Sequence, residues 1–342
     1  MRIGVVTTSY PRFAGDHAGS FVAAHVDAMR ALGHDVDVIG AHQIRSPLFA
    51  GAGAPDELER GRGYLDAAWF TARLAAAARR FHDRELVIAH WLPSAIAALA
   101  ARTPLLAIAH GGDVHTLRRL RLLRPTIRLL RARGARFAFV TEELRTLANV
   151  EGIVQPMGID TARFAALPRA PTDPPMILVV ARLVPIKGID VAIAARKLLR
   201  TRARLVIAGD GPLRIADPAV TFLGAVDATT RDRLLSEASV VVVPSRALPN
   251  GRSEGMPMIA LEALAAGVPV VASAVGGLAA LDAATRVRPD DPRALAAAID
   301  RVLAAPPSPA ELRRSVAHLD WSLVAQRLLM CESGDTNKRR TA

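Results

Sequence analysis

The sequence predicts an α/β protein built from two doubly wound, Rossmann-like domains. The chain has 342 residues, which is enough for two hydrophobic cores. In each half, short runs of Val, Ile, Leu and Ala alternate with glycine-containing loops and with apolar residues at helical spacing, as in parallel βαβ units. Four prolines between Leu167 and Pro175 forbid regular structure there. We therefore predict domains at 1–168 and 175–319.

The first domain begins with a strand, a loop and a helix. The apolar run 2–7 predicts a buried strand, and a loop containing Gly19 and Ser20 follows it. Helical spacing over 21–32 and a second strand over 34–39 complete half of a dinucleotide-type fold. The loop lacks a complete G-x-G-x-x-G sequence, so a phosphate or acceptor role and a plain turn are both open.

A histidine follows the fourth predicted strand. We predict a loop over 45–63, a helix over 64–80, and strands over 86–89 and 105–109. The last of these runs into His110-Gly-Gly-Asp, which places an imidazole and two flexible residues at the carboxyl end of a strand. That position suits a ligand-binding cleft. A histidine bonded to its own loop is the alternative.

Four other polar side chains resemble site residues but are interpreted as structural. Asp35 and Asp37 have the spacing of a metal-binding pair, yet they alternate along a predicted strand, where polar residues simply face water. His17 and His90 lack a motif comparable to that of His110. We therefore predict no metal site.

An arginine-rich segment spans 117–136. It contains eight Arg among Leu and Ile residues, and no acid occurs between Asp113 and Glu142. A basic amphipathic helix of this kind can bind an anionic membrane surface. It can equally be a solvated helix whose Leu residues pack on the core. Nucleic acid is not an expected partner, because interleaved aromatics and nucleic-acid-binding motifs are lacking.

The second domain restarts the βαβ pattern. A strand over 176–181 and a helix over 189–199 flank a loop that contains Arg182 and Lys187. Two cations beside the N-terminus of a helix can bind a diphosphate, although isolated surface charges are the alternative interpretation. Further strands are predicted at 205–209 and 240–243, and further helices at 291–304 and 309–318.

The most informative stretch follows the strand at 240–243. Gly255 and Pro257 end a polar loop, a helix follows, and Gly267 stops it. Glu254 lies at the approach to this helix and Glu262 lies within it. Since a carboxylate would repel phosphates, we expect both to accept hydrogen bonds from hydroxyl groups. This combination is typical of a sugar-nucleotide site.

The chain resembles a known family at several of these motifs. Glu-Gly-Met-Pro at 254–257 and Glu-Ala-Leu-Ala-Ala-Gly at 262–267 are similar to the paired motif of the retaining glycosyltransferases of family 4 (GT4). The Arg182-x-x-x-x-Lys187-Gly loop and the His110-Gly-Gly-Asp loop are similar to the family's as well. The resemblance covers nearly the whole chain. It implies the GT-B architecture, two Rossmann-like domains facing a central cleft.

The family's site residues are carried over to matching positions. The resemblance implies a catalytic role for four residues: His110, Glu254, Arg182 and Lys187. It implies donor-diphosphate binding by Arg182, Lys187 and Gly19, and donor-sugar binding by His110, Glu254, Gly255, Met256 and Pro257. It implies nucleoside binding by Glu262, Gly224 and Val226. A last helix at about 320–330, anchored by Trp321, is expected to pack back on the first domain.

The resulting expectation is a retaining transfer of a hexosyl-type residue from a nucleotide-diphospho-sugar to a hydroxyl of a glycan or lipid-linked acceptor. No cofactor and no metal are expected, since cations and a helix N-terminus stabilise the leaving phosphate. Cell-envelope or polysaccharide biosynthesis is the expected role. A sugar-nucleotide epimerase, a phosphorylase-like enzyme and a non-catalytic basic membrane-binding protein remain the alternatives.

Composition sets the remaining bounds. The lone Cys331 excludes a disulfide framework and fits a reducing compartment. Neither a signal peptide nor an apolar run long enough to cross a bilayer is evident. We therefore expect a cytoplasmic protein, either free or peripheral on the inner face of the membrane. The net charge of +12 comes from an arginine-rich composition, so only the local cluster at 117–136 is informative.

Overall fold

The chain forms two compact α/β units. The computed structural model describes residues 1–330 apart from 14, 17, 45, 47, 50–53, 60 and 214 and the side chains of 55, 56 and 59. His17 and Cys331 thus lie outside the described residues. One unit consists of the described residues of Met1–Gly158 together with Trp321–Met330, and the other is Ile159–Asp320. Residues 159–168, which we had assigned to the first domain, belong to the second unit.

The first unit is organised around a parallel sheet. Its described strands are β1 (Arg2–Thr7), β2 (Asp35–Gly40), β3 (Leu86–His90), β4 (Leu105–Ala109), β5 (Arg136–Phe139) and β6 (Ile153–Val154). Their order across the sheet is β2-β1-β3-β4-β5-β6. The chain therefore moves from β1 to one neighbour, β2, and then crosses to the other, β3. This reversal is the topological switch point of a doubly wound sheet.

Helices cover this sheet. They are α1 (Ser20–Ala31), α2 (Ala54–Glu59), α3 (Tyr64–Ala78), α4 (Leu92–Ala98), α5 (Gly112–Arg119), α6 (Leu123–Ala132) and α7 (Glu142–Ala148). The predicted loop over 45–63 is wrong at α2. Its sequence, Ala-Pro-Asp-Glu-Leu-Glu, has a proline and acidic residues near the first turn, where both favour a helix.

The arginine-rich segment is not one helix. It is split into α5 and α6 because Arg121 adopts a left-handed conformation with φ of 60° and Pro125 lies in the first turn of α6. Proline is compatible with a first turn but not with a continuous helix. Four of its apolar residues are buried against the unit: Leu117, Leu123, Ile127 and Leu130. Its arginines from 118 to 133 are exposed.

The second unit repeats the architecture. Its described strands are β7 (Met176–Val180), β8 (Arg204–Ala208), β9 (Val220–Gly224), β10 (Val240–Val243), β11 (Val270–Ser273) and β12 (Thr285–Val287), in the order β12-β11-β10-β7-β8-β9. Its helices are α8 (Thr161–Ala165), α9 (Ile189–Arg196), α10 (Ala228–Glu237), α11 (Met258–Ala265), α12 (Pro292–Ala304) and α13 (Pro309–Val316). All described strand pairs are parallel, and β7 lies at the switch point between β8 and β10.

The last described helix, α14 (Trp321–Met330), returns to the first unit. It packs along α1, where Trp321 stacks on His25 with ring centroids 5.4 Å apart and an interplanar angle of 12°. Trp321, Val324, Ala325 and Leu328 are buried in this packing. The helix therefore belongs to the first unit, and Trp321 packs against α1.

Candidate functional site

The switch point of the second unit brings two loops together. β7 pairs directly with β10, and their carboxyl ends lead into the loops that precede α9 and α11. The first loop contains Arg182 and Lys187, and the second contains Glu254 and Gly255. In open α/β sheets, ligands bind at this end of the strands. The two loops are far apart in the sequence, but the order of the strands brings them close together in the fold.

An ion pair joins the two loops. Nζ of Lys187 lies 2.9 Å from Oε1 of Glu254, and both side chains are largely buried, with 22% and 13% of their surface exposed. The opposite charges of the two side chains compensate each other at this partly desolvated position. The sequence predicted both residues at one site, but it did not predict that they bind each other.

Two glycines allow the backbone to approach closely here. A Cβ on Gly276 would lie 1.9 Å from the carbonyl oxygen of Glu254, and one on Gly188 would lie 1.9 Å from that of Pro244. Both glycines have left-handed backbones, with φ of 53° and 60°. In addition, the N–H of Gly277 donates to the carbonyl oxygens of Glu254 (3.3 Å) and Gly255 (2.8 Å). The Gly276-Gly277 pair therefore fixes the backbone at Glu254.

Pro257 lies at the junction between the polar loop and α11. It is the residue before the helix, with φ of −62° and ψ of 119°. Met256 is partly buried and packs on the core of the unit. The first turn of α11 thus begins shortly after Glu254 and Gly255. The N–H groups of this turn give the position a partial positive potential.

Glu262 has a different environment. Its Oε1 accepts from Nη1 of Arg231 at 3.3 Å, and Arg231 also contacts Asp232 at 3.0 Å. Burial raises the pKa of the Glu262 carboxyl, and Asp232 raises it further, whereas the positive charge of Arg231 lowers it. The sequence suggested no partner for Glu262, because Arg231 is on another helix, α10. The Glu262–Arg231 ion pair is thus a second contact between a predicted site carboxylate and a cation in this unit, beside Glu254–Lys187.

The other predicted residues of this unit surround the same sheet edge. Arg182 follows β7, and its carbonyl oxygen accepts from the N–H of Val184 at 2.9 Å. Gly224 ends β9 in a left-handed conformation, and its carbonyl oxygen accepts from the N–H of Gly209 at 2.6 Å. Val226 is partly buried against the core. Gly224 and Val226 lie after the edge strand, whereas Arg182 is at the central switch point.

In the first unit, Asp113 organises the His110 loop. One carboxylate oxygen of Asp113 accepts from the N–H groups of His110 (3.1 Å) and Gly111 (3.0 Å), and the other accepts from the N–H of Leu92 at 2.8 Å. Burial raises the pKa of this carboxyl, and the backbone donors oppose that effect. Asp113 therefore ties the loop after β4 to the start of α4.

Two further histidines lie behind His110, and sequence reasoning missed their connection. Nε2 of His110 is 3.0 Å from Nδ1 of His90, and Nε2 of His90 is 3.1 Å from Nδ1 of His25. Both His25 and His90 are fully buried. The helical spacing of α1 gave the only available signal, because it places His25 on the same buried face as Val22 and Met29.

A cavity of about 600 Å³ opens beside this loop within the first unit. Gly19, at the switch-point loop after β1, and Gly112 and Asp113, at the start of α5, all contribute to its wall. A Cβ on Gly19 would lie 2.3 Å from the carbonyl oxygen of Ser9, so only glycine fits this turn. The rest of the wall is mainly apolar, including Phe21, Trp91 and Leu120.

Arg84 binds the aspartate pair of β2, and the described residues offer neither a metal-ligand cluster nor a membrane-spanning helix. Asp35 and Asp37 both contact the guanidinium of Arg84, with 2.8 Å between Nη1 and the Asp35 carboxylate. Across the part of the chain that the structure describes, no cluster of three or more His, Cys, Asp or Glu side chains could ligate a metal ion. Among the described helices, none has the length and apolar character needed to span a bilayer.

The predicted residues thus fall into two groups. The structure brings Lys187 together with Glu254 and Gly255, and it places Gly19 near the loop of His110. The first group belongs to the second unit and the other to the first unit.

Each of the two units matches a model of a known family. Residues 18–163 match the family described as Glycosyltransferase Family 4, and residues 174–305 match the one described as Glycosyl transferases group 1. The chain is 42% identical over 147 residues to an uncharacterized glycosyltransferase of Methanocaldococcus jannaschii, a match that covers 38% of this chain and 36% of the relative.

Two other similarities extend along most of the chain. A GDP-mannose-dependent alpha-(1-6)-phosphatidylinositol monomannoside mannosyltransferase of Mycobacterium tuberculosis is 29% identical over 329 residues, which are 81% of each protein. The crystallised sucrose-phosphate synthase of Thermosynechococcus elongatus has the same fold, with a TM-score of 0.74 at 20% identity over 97% of this chain and 98% of that one. The chain spans less than half the length of several other curated relatives that it matches.

Proposed function

The chain belongs to glycosyltransferase family 4, and from that premise we propose that it moves a hexosyl-type residue from a nucleotide-diphospho-sugar to a hydroxyl group of an acceptor. The observation that carries the proposal is the Lys187–Glu254 ion pair at the switch point of the second unit. It places a cation for phosphate and an acceptor for hydroxyl groups side by side. The mannosyltransferase relative, named as GDP-mannose-dependent, supports a nucleotide-sugar donor.

The donor's diphosphate would bind where positive potential is concentrated. Departure of the nucleotide leaves negative charge on the phosphate, and positive groups fixed beforehand stabilise that charge without reorganising. Lys187, Arg182 and the N-terminus of α11 near Gly255 supply these groups. We therefore assign the leaving phosphate to this loop pair. The cations do the work that a divalent ion does elsewhere, so the proposed reaction needs no metal.

Carboxylates would bind the uncharged parts of the donor. Glu254 is paired with Lys187, and its carboxylate oxygens can also accept a hydrogen bond from a sugar hydroxyl. Met256 and Pro257 would line the sugar on the same loop. Glu262 can accept from a ribose hydroxyl, and the segment from Gly224 to Val226 would contact the base.

We propose retention of the anomeric configuration. A double displacement would require a carboxylate nucleophile beneath the anomeric carbon. Glu254 is bonded to Lys187 instead, which supports a positioning role. A same-face transfer is consistent with that role, because the leaving phosphate remains beside the sugar and can accept the proton of the incoming hydroxyl.

The acceptor would bind in the first unit. The cavity beside Gly19 and Asp113 has a volume of about 600 Å³, within the usual range for small-molecule sites. Its apolar wall suits an acceptor with an apolar portion, such as a lipid-linked glycan. We therefore propose a role in cell-envelope or polysaccharide biosynthesis, on the inner face of the membrane.

The Glu254→Ala variant tests the proposal. We expect the release of free nucleoside diphosphate from UDP-, GDP- or ADP-sugars to fall on the order of a hundredfold or more, because the sugar is no longer positioned. Donor affinity, measured by thermal shift with the same panel, should fall less than about tenfold. Glu237→Ala, in α10, removes a carboxylate paired with Arg233 and serves as the control. Unchanged turnover in Glu254→Ala would refute the assigned role.

A further inference from the structure

Three histidine rings form a row inside the first unit, and the proposed function uses only the last of them. The two hydrogen bonds of the row measure 3.1 Å between His25 and His90 and 3.0 Å between His90 and His110. The three rings come from α1, the end of β3 and the loop after β4. The row therefore spans separate elements on both sides of the switch point, where β1 pairs with β3.

Neighbouring rings fix the orientation of each imidazole. His25 stacks on Trp321. The ring planes of His90 and His110 are nearly parallel, with an interplanar angle of 16° and ring centroids 5.1 Å apart. Phe21 and Trp91 contact His110, with centroids at 5.0 Å and 4.8 Å. Each of the three imidazoles therefore contacts at least one other aromatic ring.

The three rings are neutral at pH 7. Burial lowers the pKa of His25 to about 4, and burial together with the nearby charge of His25 lowers that of His110 to about 3. The pKa of His90 is also lowered well below its usual range, first by burial and then by its two neighbours. A cation on His25 or His90, which are both fully buried, would be desolvated and would lack an acidic partner among the residues that the structure describes.

Neutrality gives the row a direction. A neutral imidazole has one N–H donor and one acceptor nitrogen, so each hydrogen bond contains one proton and all donors point the same way. Either His110 donates inward through Nε2 and leaves Nδ1 as an acceptor, or His90 donates to His110 and leaves the proton of His110 on Nδ1. Only these two arrangements keep both hydrogen bonds.

The buried end of the row selects between them. Nε2 of His25 has no hydrogen-bond partner among the described residues. If the row pointed inward, this atom would be an orphaned, buried N–H. If it points outward, the atom carries only a lone pair. Orphaned N–H groups are the rarer and more costly of the two in folded proteins. The outward direction is therefore favoured.

We propose that the row His25–His90–His110 fixes the tautomer of His110, with the proton on Nδ1, so that this nitrogen donates a hydrogen bond to an oxygen of the donor sugar. His25 and His90 are then positioning residues that act through His110. The tautomer of His110 is a property of the free protein, whereas the contact with the sugar rests on the function proposed above.

The tautomer can be read directly by NMR. Long-range ¹H–¹⁵N correlation spectra of histidine-labelled full-length protein at pH 7 distinguish protonated from unprotonated ring nitrogens. We expect Nδ1 of His110 to be protonated and Nε2 to be unprotonated. The opposite pattern, or a cationic ring, would overturn the proposal. The wild-type spectrum decides this point whether or not any variant folds.

A matched pair of variants tests the role of His90. In His90→Phe nothing selects the proton position, so His110 should show both tautomers and kcat for sugar-nucleotide hydrolysis should fall about tenfold with KM unchanged. In His90→Asn the side-chain amide can replace the Nδ1 donor, and the single tautomer and most of the activity should return. Equal spectra for His90→Phe and the wild type would contradict the role.

The controls separate this proposal from the proposed function. His82→Phe replaces an exposed histidine outside the row and should leave the His110 signals unchanged. Since the spectra are recorded without substrate, a wrong tautomer leaves the glycosyltransferase proposal intact. A confirmed tautomer in a protein that hydrolyses none of the sugar nucleotides would contradict the proposed function and the assigned sugar contact, and would leave the tautomer assignment intact.

Discussion

The buried imidazole of His25 makes stability depend on pH. Its pKa is about 4 in the folded protein, against 6.5 for an exposed histidine. Between these values the unfolded chain binds a proton that the folded protein does not, so stability falls as the pH falls from about 6.5 to about 4. The loss is complete below the folded pKa.

This predicts a measurable difference between pH 7 and pH 5. His25→Phe removes the effect, so the difference in unfolding free energy between wild type and variant should shift by about 2 kcal/mol between the two pH values, with the wild type losing more at pH 5. Urea unfolding of both proteins measures it. His82→Phe, at an exposed position, should track the wild type. A parallel pH dependence for His25→Phe would contradict the prediction.

Single residues also show how far sequence reasoning reached. Lys187 and Glu254 could be predicted as site residues because their motifs are local. Their 2.9 Å contact could not, since it depends on β7 pairing with β10. The same holds for Glu262 and Arg231, which lie on separate helices. Motifs identify chemistry, whereas strand order decides which motifs meet.

At the scale of elements, the loop before α11 depends on Gly276. An alanine there would place Cβ 1.9 Å from the carbonyl oxygen of Glu254. We expect Gly276→Ala to shift the Glu254 backbone and lower sugar-nucleotide hydrolysis on the order of a hundredfold. Gly134→Ala has a similar φ of 74° but no atom within 4 Å of its Cβ, so it should cost about 1–2 kcal/mol of stability without affecting turnover. Equal activities would show that the close approach is unimportant.

The helices of the arginine-rich segment allow a test of membrane binding. The buried Leu residues confirm that one face packs on the core, yet Arg124 and Arg128 remain exposed on α6, and Leu122 before it is 49% exposed. Each basic residue near an anionic surface contributes about 1 kcal/mol. The double variant Arg124→Gln, Arg128→Gln should therefore bind phosphatidylserine-containing vesicles about 30-fold more weakly.

Vesicle sedimentation measures this affinity. Arg293→Gln, Arg301→Gln on α12 removes two exposed arginines from the second unit and is the matched control. Wild-type binding that is equally strong to vesicles of pure phosphatidylcholine would contradict an electrostatic attachment through 117–136.

The existence of strands and helices was easier to predict than the residues at which they begin and end. Strands such as Leu105–Ala109 are continuous apolar runs bounded by punctuating residues, so their existence follows from composition alone. The single helix predicted over the arginine-rich segment failed because hydrophobic periodicity continues across the break. The helix is interrupted in spite of this periodicity, because Arg121 has a left-handed backbone and Pro125 cannot lie inside a continuous helix.

At the scale of the whole molecule, the first unit is completed by the far end of the chain. The strands of its sheet all precede residue 158 in the sequence, but α14 supplies part of the packing around α1. A Cβ on Gly158 would lie 2.5 Å from the Trp321 ring, and the ring also stacks on His25. The first unit therefore cannot reach its full stability until the last helix has been made.

This connection predicts a local effect of a distant substitution. Trp321→Ala should destabilise the first unit by about 3–5 kcal/mol, the usual loss for a buried aromatic ring. Hydrogen exchange should then accelerate in α1, against which the ring packs. β10 and β11 in the second unit should keep their protection, because their cores are formed within Ile159–Asp320. Leu323→Ala, at a position 40% exposed on the same helix, should change stability by less than about 0.5 kcal/mol. If Trp321→Ala accelerated exchange equally in both units, the units would unfold together, and α14 would stabilise the whole chain instead of the first unit alone.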